Sequence, residues 1–250
     1  MKKTSGHEIN INALYVGERW DVVSEEFKTD ASLSNVCARG IGSAHGADGM
    51  FPSLETENAH FMFLIGDMDG GASLAAMLSF AQGFKSLNPE GVLLAVLPKS
   101  RSDDSCRNRL EAYVDHIVFV ENGDRLSEPL KMINNALNAS FMDLDFFDLQ
   151  ASFQKFPSSV LSTAVCKRRE DLNAFVASVK KEREALRASA DGLLVYLSVD
   201  GKRGGPDWVE RVASAFEPIA EGSGSEVRIA AQLTEQDCPL KATVLTMVNA

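Results

Sequence analysis

The sequence predicts an α/β protein, with a mainly parallel sheet in its first part and a smaller mixed α/β domain after it. Three observations predict this. HFMFLI (60–65), VLLAVL (92–97) and HIVFV (116–120) are short, continuous apolar runs of strand length. The segments between them carry apolar residues at helical spacing, and such alternation implies parallel strands covered by helices on both faces. In the second part, charged helices are followed by strand-like runs at 227–233 and 242–248.

Taken in order, residues 9–16 read as a first strand and 20–27 as a short helix. Residues 29–58 are polar and glycine-rich, with no strong period. After the strand at 60–65, residues 73–84 place Leu74, Met77, Leu78 and Ala81 on one helical face. Residues 103–114 begin a helix with aspartates suited to capping. A short helix at about 124–138 links the two parts. Residues 161–165 form a strand, and 169–187 a charged helix with Leu172, Phe175, Val176 and Val179 on its apolar side. A strand at 193–199 precedes a helix opened by Pro206, whose stripe is Val209, Val212, Ala213 and Phe216. TEQDCP, between the last two strands, is short enough for a hairpin or a tight return. The domains are expected at 1–140 and 158–250, joined by an acidic loop and helix at 141–157.

Composition narrows the function. A chain of 250 residues with 45% hydrophobic and 24% charged residues has ordinary globular composition. Its net charge of −10 argues against a nucleic-acid binder, which needs a basic footprint, and against docking on anionic lipid. The four cysteines are scattered, without a CxxC pair, so no metal site is expected, and Cys37 and Cys166 read as buried free thiols. The lysines near the start have no apolar core behind them, and no apolar run reaches the ~20 residues that span a bilayer. A soluble, cytoplasmic protein is expected.

Four segments in order carry a resemblance. Ala38-Arg39-Gly40-Ile41-Gly42-Ser43-Ala44 is similar to TRGLGAG, and Gly66-Asp67-Met68-Asp69-Gly70-Gly71-Ala72-Ser73 to a degenerate GGGTG[ST]G. Residues 114–126, VDHIVFVENGDRL, are similar to VDTLIVIPNDRL, and Asp143-Leu144-Asp145-Phe146-Phe147-Asp148 to NLDFAD. The last two strands also match in kind. Together these resemble the FtsZ/tubulin superfamily over roughly residues 38–250, as a divergent and truncated member.

The resemblance implies a GTPase-type domain that binds GTP or GDP, with magnesium accompanying the nucleotide. It assigns phosphate contacts to Arg39, Gly40, Gly42, Gly66, Gly70, Gly71 and Ser73, and guanine or ribose contacts to Asn122 and Asp124. It assigns to Asp143, Asp145 and Asp148 the orienting of water in an adjacent subunit. The partner it implies is another FtsZ-fold subunit, the same chain or a different one, in polymerisation and cell division.

The chain departs from the pattern at the phosphate side. Where the family has a run of glycines after its first strand, only Gly17 stands, followed by Glu18, Arg19 and Trp20. A phosphate cradle needs glycines so that backbone N–H groups can approach the anion. Asp67 and Asp69 add negative charge to the second loop, where a carboxylate can equally cap a helix. Arg39 reads either as a phosphate contact or as an ion-paired arginine in a surface turn. The Asn122-Gly123 pair is also a turn signal, and Arg107, Arg109, Asn134 and Asn135 read as solvated helix surface. Asp143, Asp145 and Asp148 serve equally as caps for the following helix. The leading expectation is an FtsZ-like assembly or regulatory partner with weak or absent GTPase activity. The alternatives are an active, self-polymerising GTPase and a fold reused for another ligand.

Overall fold

The computed structural model describes residues 9–18, 20–41, 56–66, 71–99, 104–121, 123–186, 192–203, 206–221 and 226–249. Among them are nine strands and seven α-helices, in two compact units, 1–115 and 116–250.

In the first unit four parallel strands lie in the order β2-β1-β3-β4. They are β1 (Ile11–Val16), β2 (Val36–Ile41), β3 (Phe61–Gly66) and β4 (Val92–Pro98). β1, β3 and β4 are buried at every position, as their unbroken apolar runs require. The helices are α1 (Trp20–Thr29), α2 (Gly71–Leu87) and α3 (Asp104–Glu111). α2 buries Leu74, Met77, Leu78, Ala81 and Phe84, the stripe its spacing predicts. β2 falls within a stretch the sequence leaves without a period. It is an edge strand whose residues alternate between partly buried and exposed.

The second unit has strand order β5-β6-β9-β7-β8, from β5 (His116–Val120), β6 (Ser158–Cys166), β7 (Gly192–Asp200), β8 (Glu226–Thr234) and β9 (Leu240–Val248). The strand that opens the part expected from residue 158 shares a sheet with the strand before it, because β6 pairs in parallel with β5. The last two strands do not form a hairpin, because β9 lies antiparallel between β6 and β7 while β8 pairs in parallel with β7. β9 thereby gains two hydrogen-bonded neighbours where a hairpin at the edge would give it one.

α6 (Arg169–Ala185) and α7 (Pro206–Glu221) pack Leu172, Phe175, Val179, Val209, Val212 and Phe216 against Leu193, Val195, Leu197, Ala242 and Val244. The remaining helices are α4 (Glu128–Leu137) and α5 (Phe146–Lys155).

One buried polar group sits among the apolar ones. His116 is fully buried, with its ring 4.9 Å from that of Phe153. Its Nδ1 lies 2.6 Å from the Phe156 carbonyl and its Nε2 2.7 Å from Ser159 Oγ. A carbonyl only accepts, so Nδ1 carries the proton and Nε2 accepts from the serine hydroxyl. Burial holds the imidazole neutral, lowering its pKa to about 4 against the pull of the Phe156 hydrogen bond.

Candidate functional site

Ligands of open parallel sheets sit beyond the carboxyl ends of the strands. In the first unit Val16 is in register with Ile41 on one side and Gly66 on the other, so β1, β2 and β3 end at one level. Gly17 follows, with φ of 153°, in a region that favours glycine, and its N–H donates to the Ile41 carbonyl at 3.1 Å. Glu18 is exposed, and α1 begins at Trp20.

Trp20 decides the shape of this edge. Its indole packs on Gly40, so closely that a Cβ built there would stand 2.0 Å from the ring. The ring centroid also lies 6.1 Å from that of Tyr15. Gly66 is filled in a similar way: a Cβ there would stand 2.3 Å from the Met77 sulfur. Both glycines thus have a packing role. Neither contact shows in local sequence, because each joins residues far apart in the chain.

Arg39 and Gly40 lie within strand β2 and not in a loop. Arg39 is exposed and on a strand, which corrects the reading as a turn residue. Gly71 opens α2, and Ser73 is buried in its first turn with no hydrogen bond to its Oγ. Gly42, His45, Asp67, Asp69, Gly70 and Asn122 lie outside the described residues, as does the side chain of Asp124. Asp124 itself falls in a 3₁₀ turn, Gly123–Arg125. Asn134 is buried and not solvated, accepting at its carbonyl from Asn138.

The acidic segment of the second unit is tied down at both ends. Met142 exchanges two backbone hydrogen bonds with Ala231 of β8, at 2.9 and 2.8 Å, and Leu144 N–H donates to the Ala136 carbonyl. Asp145 is the N-cap of α5, accepting from Phe147 N–H at 2.7 Å. Asp148 meets Arg228 Nη1 at 2.7 Å, and Arg228 Nη2 meets Glu226 at 2.5 Å. Asp143 is exposed. Beside these carboxylates Phe141, Met142 and Phe147 are exposed, Phe147 to 72%. The sequence singled out the aspartates but not Arg228, which lies far along the chain on another strand.

Against solved structures the chain superimposes on FtsZ from M. jannaschii, a W319Y mutant, with a TM-score of 0.72 at 10% identity over 97% of this chain and 92% of that one. The chain has an FtsZ/tubulin-type fold. An empty FtsZ dimer from the same organism also gives 0.72, at 11% identity over 96% and 88% of the two chains. CetZ2 from Haloferax volcanii, in a GTPγS-bound protofilament, gives 0.64 at 14% identity over 95% and 92%. No family model matches the sequence, and no curated protein does. The FtsZ-like likeness therefore lies in structure.

Among the described residues of this chain of FtsZ/tubulin-type fold, no group of three or more His, Cys, Asp or Glu is placed to hold a metal, and no helix is long and apolar enough to cross a membrane. Cys166 is buried, whereas Cys37 is exposed, which corrects its reading as a buried thiol. Burial pushes the Cys166 thiol up to about 11, with smaller contributions from Asp171 and Cys238.

Proposed function

We propose that this chain is an FtsZ-fold assembly or regulatory partner of filament-forming FtsZ-type proteins, with little nucleotide affinity of its own. The observation that carries this reading is the indole of Trp20 on Gly40. Glycine at a phosphate loop is useful because backbone N–H groups can then approach the anion. Here Gly40 lies inside strand β2 with an aromatic ring against it, so it is not a loop glycine open to an anion, and Gly17 is the one glycine at the end of β1. Isothermal titration with GTP and magnesium tests it. Weak or absent binding is expected, and submicromolar affinity overturns the reading.

The partner side rests on the acidic segment. Its exposed Phe147 and Asp143, next to Asp145 and Asp148, offer a surface for a head-to-tail contact with another FtsZ-fold subunit, identical or not. The solved relatives include a dimer and a protofilament, which supports such a contact.

One observation favours the alternative of an active, self-polymerising GTP-binding protein. Ser73 Oγ is buried without a partner at the start of α2, and an unsatisfied hydroxyl costs roughly 1–3 kcal/mol. A phosphate oxygen there would satisfy it, with backbone N–H groups of Gly71 and its neighbours holding the anion. When bound, GTP supplies the phosphoryl group and magnesium neutralises its charge. Ser73→Ala separates the readings. It weakens GTP binding if the alternative holds, and otherwise leaves nucleotide titration unchanged while stabilising the fold.

A further inference from the structure

Between α6 and α7 runs a groove of about 360 Å³, far in sequence from the loops considered above. α6 contributes Arg169, Leu172 and Asn173, spaced so that they share one helix face. α7 contributes Glu210, Arg211, Ser214 and Ala215. Leu172 is buried and Ala215 half-buried, and the polar groups are exposed.

The two arginines are the unusual feature. Neither forms an ion pair among the described residues, although acidic residues outnumber basic ones 35 to 25 and Glu170, Asp207 and Glu210 are close in sequence. Arg211 is held in place another way, its guanidinium carbon 5.8 Å from the centroid of the Trp208 ring. Trp208 is itself buried in the core of the unit. Positive groups on both walls of one groove favour an anion between them.

Guanidinium forks suit carboxylates and phosphates alike. Glu210 on the same wall disfavours a dianion more than a singly charged carboxylate. Leu172 and Ala215 give an apolar floor for the stem that carries the carboxylate. Asn173 and Ser214 can hydrogen-bond a peptide backbone. We propose that the α6–α7 groove docks an acidic peptide segment of a partner protein, one in which carboxylates alternate with leucine or phenylalanine. This does not depend on whether the first unit binds nucleotide.

The test uses the full chain and a synthetic peptide of alternating glutamate and leucine. Its glutamine analogue and inorganic phosphate serve as the other probes. Binding is followed by calorimetry and by Trp208 fluorescence, with Trp20→Phe removing the second of the two tryptophans. Saturable binding of the glutamate peptide is expected, falling with added salt and absent for the glutamine analogue. Arg169→Glu should weaken it about tenfold or more. That variant folds, because Arg169 is exposed and an acidic residue suits the first turn of α6. Lys180→Glu, on the same helix but outside the groove, should leave binding unchanged. Arg211→Lys keeps the charge but loses the fork, and should weaken binding partially. Equal binding by the Arg169→Glu variant, or no peptide binding at all, overturns the proposal. So does phosphate binding that matches or exceeds the peptide's, which would make the groove an anion site and not a peptide site.

Discussion

The indole of Trp20 occupies the space a side chain at position 40 would need, with its Cδ2 atom 2.0 Å from where a Cβ on Gly40 would stand. The contact joins the first residue of α1 to the strand beside β1, and so fixes how the chain leaves the sheet. A ring of this size cannot yield by rotating one bond. Gly40→Ala is therefore expected to destabilise the protein by about 1–3 kcal/mol, the usual cost of overpacking. In a Trp20→Ala background the same change should cost much less. A double-mutant cycle by urea unfolding measures the difference, and additive effects would show that the ring and the glycine are independent.

Gly66 offers a contrast. A Cβ there would stand 2.3 Å from the Met77 sulfur. A thioether moves more readily than an indole. Gly66→Ala should accordingly cost less than Gly40→Ala, about 1 kcal/mol or below, and Met77→Leu should raise that cost because a branched chain yields less. Urea midpoints for Gly40→Ala, Gly66→Ala, Met77→Leu and the Gly66→Ala, Met77→Leu pair give the order. A larger penalty at Gly66 than at Gly40 would refute the argument from side-chain stiffness.

His116 makes stability depend on pH. Its folded pKa of about 4 lies below the unfolded value of 6.5, so the unfolded chain binds the proton more readily. Its contribution is complete above pH 6.5 and is lost as pH falls towards 4. The difference between the two states corresponds to on the order of 3 kcal/mol. His116→Phe should lower stability at pH 7, because the Phe156 carbonyl and Ser159 hydroxyl lose their partner. It should also flatten the decline between pH 7 and pH 5, where few carboxylates titrate. Denaturant unfolding of both proteins across that range checks it, and parallel curves would assign the decline to other groups.

How far the sequence reveals this fold depends on how many neighbours each element has. β3, β4 and β5 are buried on both faces, and their uninterrupted apolar runs are plain. β2 has a single strand neighbour and alternates weakly through Cys37 and Arg39, so its pattern merges with the loop around it. The place of β9 between β6 and β7 is not encoded locally: a five-residue connection allows a hairpin as readily as a step over one strand. The cap by Asp145 is legible, since an aspartate before an amphipathic helix has a standard use. The seating of Trp20 on Gly40, of Met77 on Gly66 and of Arg228 on Asp148 is not, because each pair meets only after folding.

The acidic segment invites the most informative variants, because each aspartate has a separate job. Asp145 caps α5, and replacing it with alanine should cost about 1 kcal/mol. Asp148 pairs with Arg228 in a partly exposed site, where such pairs contribute about 0–1 kcal/mol, and Arg228 keeps Glu226 after the change. The double variant Asp145→Ala with Asp148→Ala should thus remain folded, with a midpoint lowered by no more than these two effects together. Phe147 is 72% exposed, and Phe147→Ala should leave stability nearly unchanged. If the segment is a subunit contact, both variants lose binding to a filament-forming FtsZ-type protein in co-sedimentation, or lose any stimulation of its GTP turnover. Phe147→Ala is the cleaner of the two, since it touches neither the cap nor the Arg228 pair. Binding that survives Phe147→Ala and falls only in step with the stability of the double variant would leave these residues a structural role alone.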